Sequence, residues 1–404
     1  MRARPVDILA WVRKGRCSPF WRNAGIIFAV ALVVRVAYVF LIDGSYALDV
    51  GDQAAYDRIA RVWLEEGKFM PGSSYRPPAY PVFVAGVYWL FGVSRQAVEL
   101  VQAILGAVTV LLVVQLGRRL CSPIAAALTG WVTALMPVLV HFVAQLMAET
   151  IFTTLLVVLL WIVVRDDQGK NIWSAVWAGA LVGVGALMRP NVLLLPVALV
   201  CWWRWGTCLP TRKAVARAAL CLTVAMVTIL PWSIRNMSVH KVFVPVSTNG
   251  GVNLWIGNNG YATGDWLKPG DYWSPLGANE AEVDQQYYRA ALHFMFSHPG
   301  RTVRLALRKL WIFWTPYPHL SDQVPFLLLF PVSLVGLGVS LRRRETSILL
   351  VAVGYFTLVS CVFFANQRFH VPLLPVVAIY AGMGAERLWS WVTGWHYSIG
   401  GGER

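Results

Sequence analysis

Long apolar runs separated by short polar segments dominate the chain. With about 17–22 apolar residues as the length of a membrane helix, this pattern predicts about 10 transmembrane helices, within a range of about 9–13. The runs lie near residues 24–42, 98–116, 124–140, 148–164, 172–188, 191–204, 214–231, 324–341, 347–364 and 371–388. Two shorter stretches, 79–92 and 303–317, have the length of interfacial elements. The pattern therefore predicts an all-α polytopic integral membrane protein with external interfacial helices.

The basic residues predict which side of the membrane each loop faces. If both short stretches lie on the outer face, the strongly basic loops fall on the cytoplasmic side, as the positive-inside rule requires. Those loops contain Arg118, Arg119, Lys170, Arg212, Lys213 and the run Arg342 to Arg344. We expect one membrane domain over residues 1–390 with external loops 43–97 and 232–323, and a short cytoplasmic tail over 391–404. The expected location is the plasma (bacterial inner) membrane, with the active site on the external, periplasmic face.

Composition supports the membrane class and argues against nucleic acid. The 404 residues are 57% hydrophobic and only 14% charged, whereas soluble domains carry about 25% charged residues. The net charge of +15 comes mostly from short loops, which is typical of orientation signals and not of a nucleic-acid face. The first apolar run is too long for a signal peptide and contains Arg35, so we expect an uncleaved helix in which this arginine has a structural partner.

The segment after the first apolar run is acidic and aromatic, and it holds the first candidate site. Asp49 and Asp52 lie three residues apart at the start of a helix-like run. Tyr56 and Ala60 follow Asp52 at i+4 and i+8, so they share its helical face. A carboxylate here can act as a general base towards a hydroxyl. The alternative is helix capping at an ordinary external loop.

Several cations and polar side chains on the predicted outer face are further candidates. Tyr75 and Arg76 precede a rigid double proline, and Arg76 there can bind phosphate or reach lipid headgroups. Arg235 and Arg368 lie outside against the charge bias, which a phosphate partner would explain.

Glu149 begins the fourth predicted helix, where it either orients a substrate or stabilises the helix dipole. Asn258 and Asn259 suit a polyol or simply build a loop. His293 and His298 lack the tight spacing of metal ligands, so we expect no metal.

At this point the sequence resembles a known family. The motifs D-Q-A-A-Y-D-R-I-A from Asp52 and Y-R-P-P-A-Y-P from Tyr75 resemble the first external loop of GT-C fold glycosyltransferases. The similarity is to the bacterial branch related to protein O-mannosyltransferases and lipid A aminoarabinose transferases. It continues through G-R-R-L at 117–120, M-A-E-T-I-F at 147–152, L-M-R-P at 187–190, P-W-S-I-R-N at 231–236, G-N-N-G-Y-A-T-G at 257–264 and R-F-H-V-P-L-L-P at 368–375.

The resemblance implies a sugar donor carried on a polyprenyl phosphate and a reaction at the external membrane face. The family's catalytic aspartate falls on Asp52, and its phosphate-binding cation falls on Arg76, where the aminoarabinose branch usually has Lys. Gln53 stands where the close branches usually show Glu. Because of this departure the acceptor stays open among a glycan, a lipid and a protein.

We therefore expect an inverting glycosyltransferase in which Asp52 is the base and three arginines bind the donor phosphate. These are Arg76, Arg235 and Arg368. Substrate-positioning roles fall to Asp49, Tyr56, Tyr75, Glu149, Asn258 and Asn259. A flippase for lipid-linked sugars is the first alternative, although repeated halves are not visible in the sequence. A polysaccharide ligase using a diphosphate donor is the second, since it shares the external site.

Overall fold

The computed structural model describes residues 19–41, 51–166, 169, 171–266, 275–276, 279–318 and 320–394. Every regular element in these ranges is helical, which confirms the all-α class. The α-helices in chain order are α1 (Pro19–Leu41), α2 (Gly51–Glu66), α3 (Ala79–Phe91), α4 (Arg95–Leu120), α5 (Pro123–Leu135), α6 (Pro137–His141), α7 (Glu149–Arg165), α8 (Ile172–Ala186), α9 (Leu195–Cys201), α10 (Thr211–His240), α11 (Gly250–Gly257), α12 (Glu280–Ser297), α13 (Pro299–Phe313), α14 (Leu320–Ser340), α15 (Ser347–Val362) and α16 (Leu374–Thr393).

Within these ranges, six helices are long and apolar enough to cross a membrane, and a seventh span forms if the bent pair α5 and α6 crosses as one. The protein is therefore an integral membrane protein, but the predicted count of about ten crossings is not confirmed. The six membrane-length segments include helices α1, α4, α10, α14, α15 and α16. The predicted run 191–204 is divided into a 3₁₀ turn, the short helix α9 and a π-helical turn at Trp202–Gly206. Average hydrophobicity does not report such breaks.

The bend between α5 and α6 explains the arginine in the first apolar run. Pro137 has no backbone N–H, so the Thr133 carbonyl loses its helical partner. Arg35 from α1 replaces it, donating from NH2 to Thr133 O at 3.2 Å and from NH1 to Ala134 O at 2.9 Å. The guanidinium is buried and lies at a helix C-terminus, where positive charge is favourable. This contact is the structural partner expected for Arg35.

Glycine allows the last long helices to pack closely. A Cβ on Gly336 of α14 would lie 1.8 Å from the Tyr380 carbonyl oxygen of α16, and one on Gly384 would lie 2.0 Å from the Val332 carbonyl oxygen. Larger residues at these two positions would separate the helices. Close backbone approach at small residues is the usual packing of membrane helices. This crossing fixes α16, and with it the segment just before α16.

Helix α13 has three distinct faces. Leu305, Lys309 and Phe313 are buried against the protein. A second face exposes Val303, Leu307, Leu310 and Trp311, and a third exposes Arg301, Arg304 and Arg308. Exposed apolar side chains beside a row of arginines are typical of a helix at a membrane surface. The helix begins earlier than the apolar stretch 303–317 and ends at Phe313.

A buried segment links α6 to α7 and positions two site residues. Residues 141–150 are all buried, and they include a short 3₁₀ turn at Phe142–Ala144. The segment carries Gln145 and Glu149. Because no part of it is exposed, its side chains are held by packing from all sides.

Candidate functional site

Helix α2 places Asp52 in its first turn. Tyr56 and Ala60, one and two turns later, are buried, so the expected shared face is confirmed. The Tyr56 ring packs edge-on against Tyr80 of α3, with the ring centroids 4.8 Å apart. The aromatic contact fixes the rotation of α2 and leaves the Asp52 carboxyl group partly exposed, with 22% of its side chain accessible.

Two guanidinium groups hold the Asp52 carboxylate, one on each oxygen. Arg76 donates from NH1 to Oδ1, and Arg368 donates from NH2 to Oδ2 at 2.8 Å. Burial raises the pKa of Asp52, but the charges of Arg368 and Arg76 outweigh burial and lower the pKa below its ordinary value. The carboxylate is therefore ionised, and both of its oxygens already accept charged hydrogen bonds.

A network of hydrogen bonds fixes the loop that carries Arg76. The buried hydroxyl of Ser74 donates to Asn236 Oδ1 at 2.6 Å and accepts from Arg235 NH1 at 2.8 Å. The backbone N–H of Ser74 donates to Glu280 Oε2 at 2.9 Å. Ser74, Arg235, Asn236 and Glu280 thus form a clamp. It joins the loop before α3 to the end of α10 and the start of α12. Since Arg76 follows Ser74 by two residues, the clamp determines where its guanidinium lies.

Arg235 belongs to this clamp. Its NH1 donates to Ser73 O at 2.8 Å, its NH2 donates to Met70 O, and its guanidinium carbon lies 4.6 Å from the centre of the Trp232 ring. Its donors are used on the loop and not on Asp52. The expected phosphate contact of Arg235 stays a prediction, and the structure gives this residue a loop-holding role.

Aromatic rings surround the Arg76 guanidinium. Its carbon lies 5.5 Å from the centre of the Tyr56 ring and 5.9 Å from that of Tyr75, which are cation–π distances. Tyr75 is partly exposed. Both tyrosines therefore lie beside the cation, and their expected substrate-positioning roles stay predictions.

Glu149 joins the same group of charges from the buried segment. Its carboxylate, only 1% exposed, accepts from Arg189 NH2, and Arg368 Nε lies 3.8 Å from its Oε1. Arg368 thus bridges Asp52 and Glu149. We call Asp52, Arg76, Glu149, Arg189 and Arg368 the charge cluster. Three guanidinium groups against two carboxylates leave one net positive charge, so the cluster favours an anion.

Arg189 was not among the residues expected at the site. The available signal was its position, since it directly precedes Pro190 after an apolar run, just as Arg76 precedes Pro77. A residue before proline is held in an extended conformation, and Arg189 has φ −141° and ψ 98°. A cation directly before a proline is the feature that Arg189 shares with Arg76.

Asn258 and Asn259 hold a turn after α11. Asn258 donates from Nδ2 to Leu254 O and Val362 O, both at 2.8 Å, and Asn259 donates from Nδ2 to Trp255 O at 2.8 Å. Asn258 Oδ1 accepts from Lys309 Nζ at 2.9 Å. These bonds use the amides for loop building, so the structure does not bring the two asparagines into the charge cluster.

Lys309 was also unforeseen. Its ammonium group is fully buried and donates to the Cys361 and Val362 carbonyl oxygens, both at 3.2 Å. Burial lowers the pKa of Lys309 to about 8. The cation lies at the C-terminus of α15, where the helix dipole favours it. It thereby anchors the start of the segment that carries Arg368.

Asp49 lies outside the described residues. In the ranges that the structure describes, no group of three or more His, Cys, Asp and Glu side chains could hold a metal ion. The expected absence of a metal stays a prediction.

Chemically, the charge cluster combines a carboxylate that can take a proton with guanidinium groups that can bind phosphate. The carboxylate is ionised, and its two arginine contacts make it a weaker base, so an anion that took these arginines would make it a stronger one.

Comparison with known proteins identifies the fold. The family model described as dolichyl-phosphate-mannose-protein mannosyltransferase matches residues 75–234. Among solved structures, an oligosaccharyltransferase of Archaeoglobus fulgidus tethered with an acceptor peptide is similar, with a TM-score of 0.59 over 93% of this chain and 13% identity. The chain has the GT-C fold.

Two further structures support this fold. AglB from Archaeoglobus fulgidus, in complex with an inhibitory peptide and a dolichol-phosphate, gives a TM-score of 0.60 at 13% identity over 95% of this chain. ArnT from Cupriavidus metallidurans, bound to undecaprenyl phosphate, gives 0.54 at 18% identity over 91%. The GT-C chain described here spans about half to three fifths of the length of these chains, namely 50%, 53% and 61%. No curated protein matches its sequence.

Proposed function

We propose that the protein is an inverting glycosyltransferase that moves a sugar from a polyprenyl phosphate to an acceptor hydroxyl at the external face of the membrane. The observation that carries this proposal is the pairing of Asp52 with Arg76 and Arg368. The carboxylate that can act as a base contacts two guanidinium groups that can bind phosphate, and Arg368 comes from a distant part of the chain.

The donor phosphate competes with Asp52 for these cations. A phosphodiester carries one negative charge and presents several oxygens to guanidinium groups. Its binding to Arg76 and Arg368 neutralises the net positive charge of the cluster and releases Asp52. The printed descriptions of the ArnT and AglB structures name undecaprenyl phosphate and dolichol-phosphate as their bound lipids. This supports a lipid phosphate here.

The released Asp52 then acts as the general base. It accepts the proton of the acceptor hydroxyl while the hydroxyl oxygen attacks the anomeric carbon from the face opposite the phosphate. The bond between this carbon and the phosphate oxygen breaks, and polyprenyl phosphate leaves with that electron pair. Because the leaving phosphate gains negative charge, the two arginines stabilise it more strongly than they bind the donor.

The remaining charged and aromatic residues position these groups. Glu149 and Arg189 hold Arg368 from the buried side, and Tyr56 and Tyr75 flank Arg76. Arg235 keeps the loop of Arg76 in place, and its contact with the donor phosphate stays part of this proposal. Asp49 keeps its substrate-positioning role as part of this proposal, whereas Asn258 and Asn259 hold the turn after α11.

The proposed setting is the plasma (bacterial inner) membrane, with the charge cluster on the external side and the polyprenyl chain between membrane helices. The acceptor is a glycan, a lipid or a protein. No nucleic acid and no metal takes part in the proposed step.

Two measurements test the proposal. The purified chain in lipid nanodiscs should bind undecaprenyl phosphate, measured by native mass spectrometry. Cells with the gene, but not cells with an Asp52→Asn variant, should contain the modified glycan or lipid by mass spectrometry of the envelope, together with free polyprenyl monophosphate. A flippase would release no polyprenyl phosphate, and a ligase would release the diphosphate. Either result would contradict the proposal.

A further inference from the structure

A chain of hydrogen bonds fixes the orientation of the Gln145 amide. The backbone N–H of Leu146 donates to Gln53 Oε1 at 3.0 Å, and Gln53 Nε2 donates to Gln145 Oε1 at 2.6 Å. A backbone N–H can only donate, so it determines which end of the Gln53 amide is oxygen. The Gln53 nitrogen must then meet the Gln145 oxygen. As a result, Gln145 turns its NH₂ group away from Gln53.

This NH₂ group has no partner in the part of the chain that the structure describes. Gln145 is 5% exposed, and its Nε2 is buried without a hydrogen-bond acceptor. Buried donors of this kind are rare, because an unmade bond in a low-dielectric interior is costly. Such an atom calls for a ligand that the described residues do not provide.

The rest of Gln145 is held rigidly. Its backbone carbonyl accepts from Gln102 Nε2 at 2.8 Å and from the Met147 N–H at 2.8 Å. Gln102 in turn accepts from Tyr80 OH at 2.9 Å. The residue is fixed at its backbone and at its amide oxygen, so its free N–H groups have a defined direction. Preorganised donors of this kind discriminate between ligands.

The position of Gln145 links it to the charge cluster. Its partner Gln53 directly follows Asp52 on α2, and Gln145 itself precedes Glu149 by four residues in the buried segment 141–150. The phosphate has guanidinium partners in the cluster, whereas a neutral N–H suits a neutral oxygen. Gln145 is held beside the cluster through Gln53 and through the buried segment that also carries Glu149. The neutral oxygens nearest the donor phosphate are those of the sugar it carries.

We propose that Gln145 is a specificity-determining residue that donates its Nε2 hydrogen to one hydroxyl oxygen of the transferred sugar, with Gln53 setting the direction of the donor. This inference rests on the proposed function. It assigns recognition of one hydroxyl on the sugar to a glutamine pair, separately from the arginines that bind phosphate.

Two variants test the polarity of this contact. In Gln53→Glu the new carboxylate can only accept, so it accepts from the Leu146 N–H and from Gln145 Nε2. Gln145 then turns its oxygen towards the sugar. Gln145→Met keeps the volume and removes both polar atoms. Gln285→Glu is the matched control, because it makes the same substitution at an exposed position of α12.

The measurement is the dissociation constant of the purified chain in nanodiscs for three kinds of probe. They are undecaprenyl phosphate alone, undecaprenyl phosphate-linked hexoses, and the single deoxy and deoxyfluoro analogues of each hexose. Fluorine accepts a hydrogen bond weakly and cannot donate one. The lipid phosphate alone is the internal reference, since a merely structural defect would weaken all probes together.

At one position of the preferred hexose, we expect the wild type and Gln285→Glu to bind the parent sugar more tightly than its deoxyfluoro analogue. Both should bind the deoxyfluoro analogue more tightly than the deoxy analogue. The dissociation constants for the parent sugar and the deoxy analogue should differ by about tenfold. Gln145→Met should bind the parent and deoxy sugars equally. Gln53→Glu should bind the fluoro analogue no better than the deoxy analogue.

If Gln53→Glu and Gln145→Met both kept the wild-type ratios of dissociation constants among the parent, deoxyfluoro and deoxy sugars, this inference alone would be overturned. No binding of undecaprenyl phosphate by the wild type would overturn the proposed function, and this inference with it. If either variant fails to fold, shown by its thermal unfolding, the other variant still decides the outcome.

Discussion

Arg368 and Asp52 form an ion pair across 316 residues of sequence, with Arg368 NH2 at 2.8 Å from Asp52 Oδ2. The pair joins the first turn of α2 to the segment before the last helix, so both ends of the chain must fold before the site exists. It also means that the base of the proposed reaction is held by a cation of the proposed phosphate site. In the proposed reaction, the binding of phosphate and the release of the base are therefore one event.

This coupling predicts opposite effects of Asp52→Asn on turnover and on binding. The variant removes the proton acceptor, so turnover should fall by roughly 10²–10⁴-fold. It also removes the anion that competes for Arg76 and Arg368, so undecaprenyl phosphate should bind more tightly. Turnover and the dissociation constant are measured on the same preparation.

Asp57→Asn is the control for this experiment, since Asp57 lies on the same helix and pairs with Arg61 at 2.8 Å and with Tyr88. It should leave lipid phosphate binding unchanged. Weaker binding by Asp52→Asn would contradict the competition.

The sequence predicted the parts of the fold that depend on local pattern. The apolar run 148–164 became α7, and the i+4 and i+8 spacing after Asp52 correctly placed Tyr56 and Ala60 on a buried face. Arg76 was found because a double proline marks it. Such features depend only on neighbours in the chain, which a sequence displays directly.

The rest depends on contacts between distant segments, which periodicity does not report. Glu149 and Arg189 lie 40 residues apart and meet only because α7 and α8 are neighbours. Gln53 and Gln145 lie 92 residues apart. The sequence suits Asn258 and Asn259 equally to binding a sugar and to forming a turn. Only their hydrogen bonds to backbone oxygens show that they form a turn. The breaks at Pro137 and near α9 likewise prevented a reliable count of crossings.

We predict that Arg76→Ala weakens binding of undecaprenyl phosphate by about tenfold or more. Loss of one charge-assisted hydrogen bond to phosphate costs roughly 1.5–3 kcal/mol. Arg76→Lys should keep part of the affinity, because it keeps the charge but loses the forked geometry. The dissociation constant in nanodiscs measures both. Arg61→Ala, one helix turn beyond Asp57, is the control and should bind undecaprenyl phosphate as the wild type does. An unchanged dissociation constant for Arg76→Ala would show that Arg76 does not bind the phosphate.

Arg189→Met should destabilise the protein by roughly 3–5 kcal/mol, because it leaves the buried Glu149 carboxylate without its main partner. Removing the carboxylate as well, in Arg189→Met with Glu149→Gln, should restore most of this loss. A double-mutant cycle of thermal unfolding in detergent measures the coupling. Additive effects would show that the two side chains do not depend on each other. Lipid phosphate binding of the stable double variant then reports whether Arg368 is still positioned.

The predicted orientation can be tested by labelling in intact cells. In a cysteine-free background, Glu66→Cys at the exposed end of α2 should react with a membrane-impermeant reagent. Arg342→Cys, in the exposed basic turn after α14, should react only after the membrane is opened. The reverse pattern would invert the topology, and it would place the charge cluster on the cytoplasmic side.

The last prediction concerns pH and follows from the state of Asp52. Its pKa in the unliganded protein lies below the ordinary value of 3.8, because Arg368 and Arg76 outweigh the effect of burial. A depressed pKa means that the ion pairs stabilise the folded protein above the ordinary pKa and are lost as pH falls through the folded pKa. The free enzyme should therefore hold Asp52 ionised throughout pH 5 to 8.

In the donor complex, phosphate takes the two arginines and adds a negative charge beside the carboxylate. Both changes raise the pKa of Asp52. The acid limb of kcat, which reports the complex, should therefore lie at higher pH than the acid limb of kcat/KM, which reports the free enzyme. Donor binding at acidic pH should accordingly take up a proton, measurable by calorimetry in two buffers of different ionisation enthalpy. Coincident acid limbs with no proton uptake would show that phosphate does not displace Asp52 from its arginines.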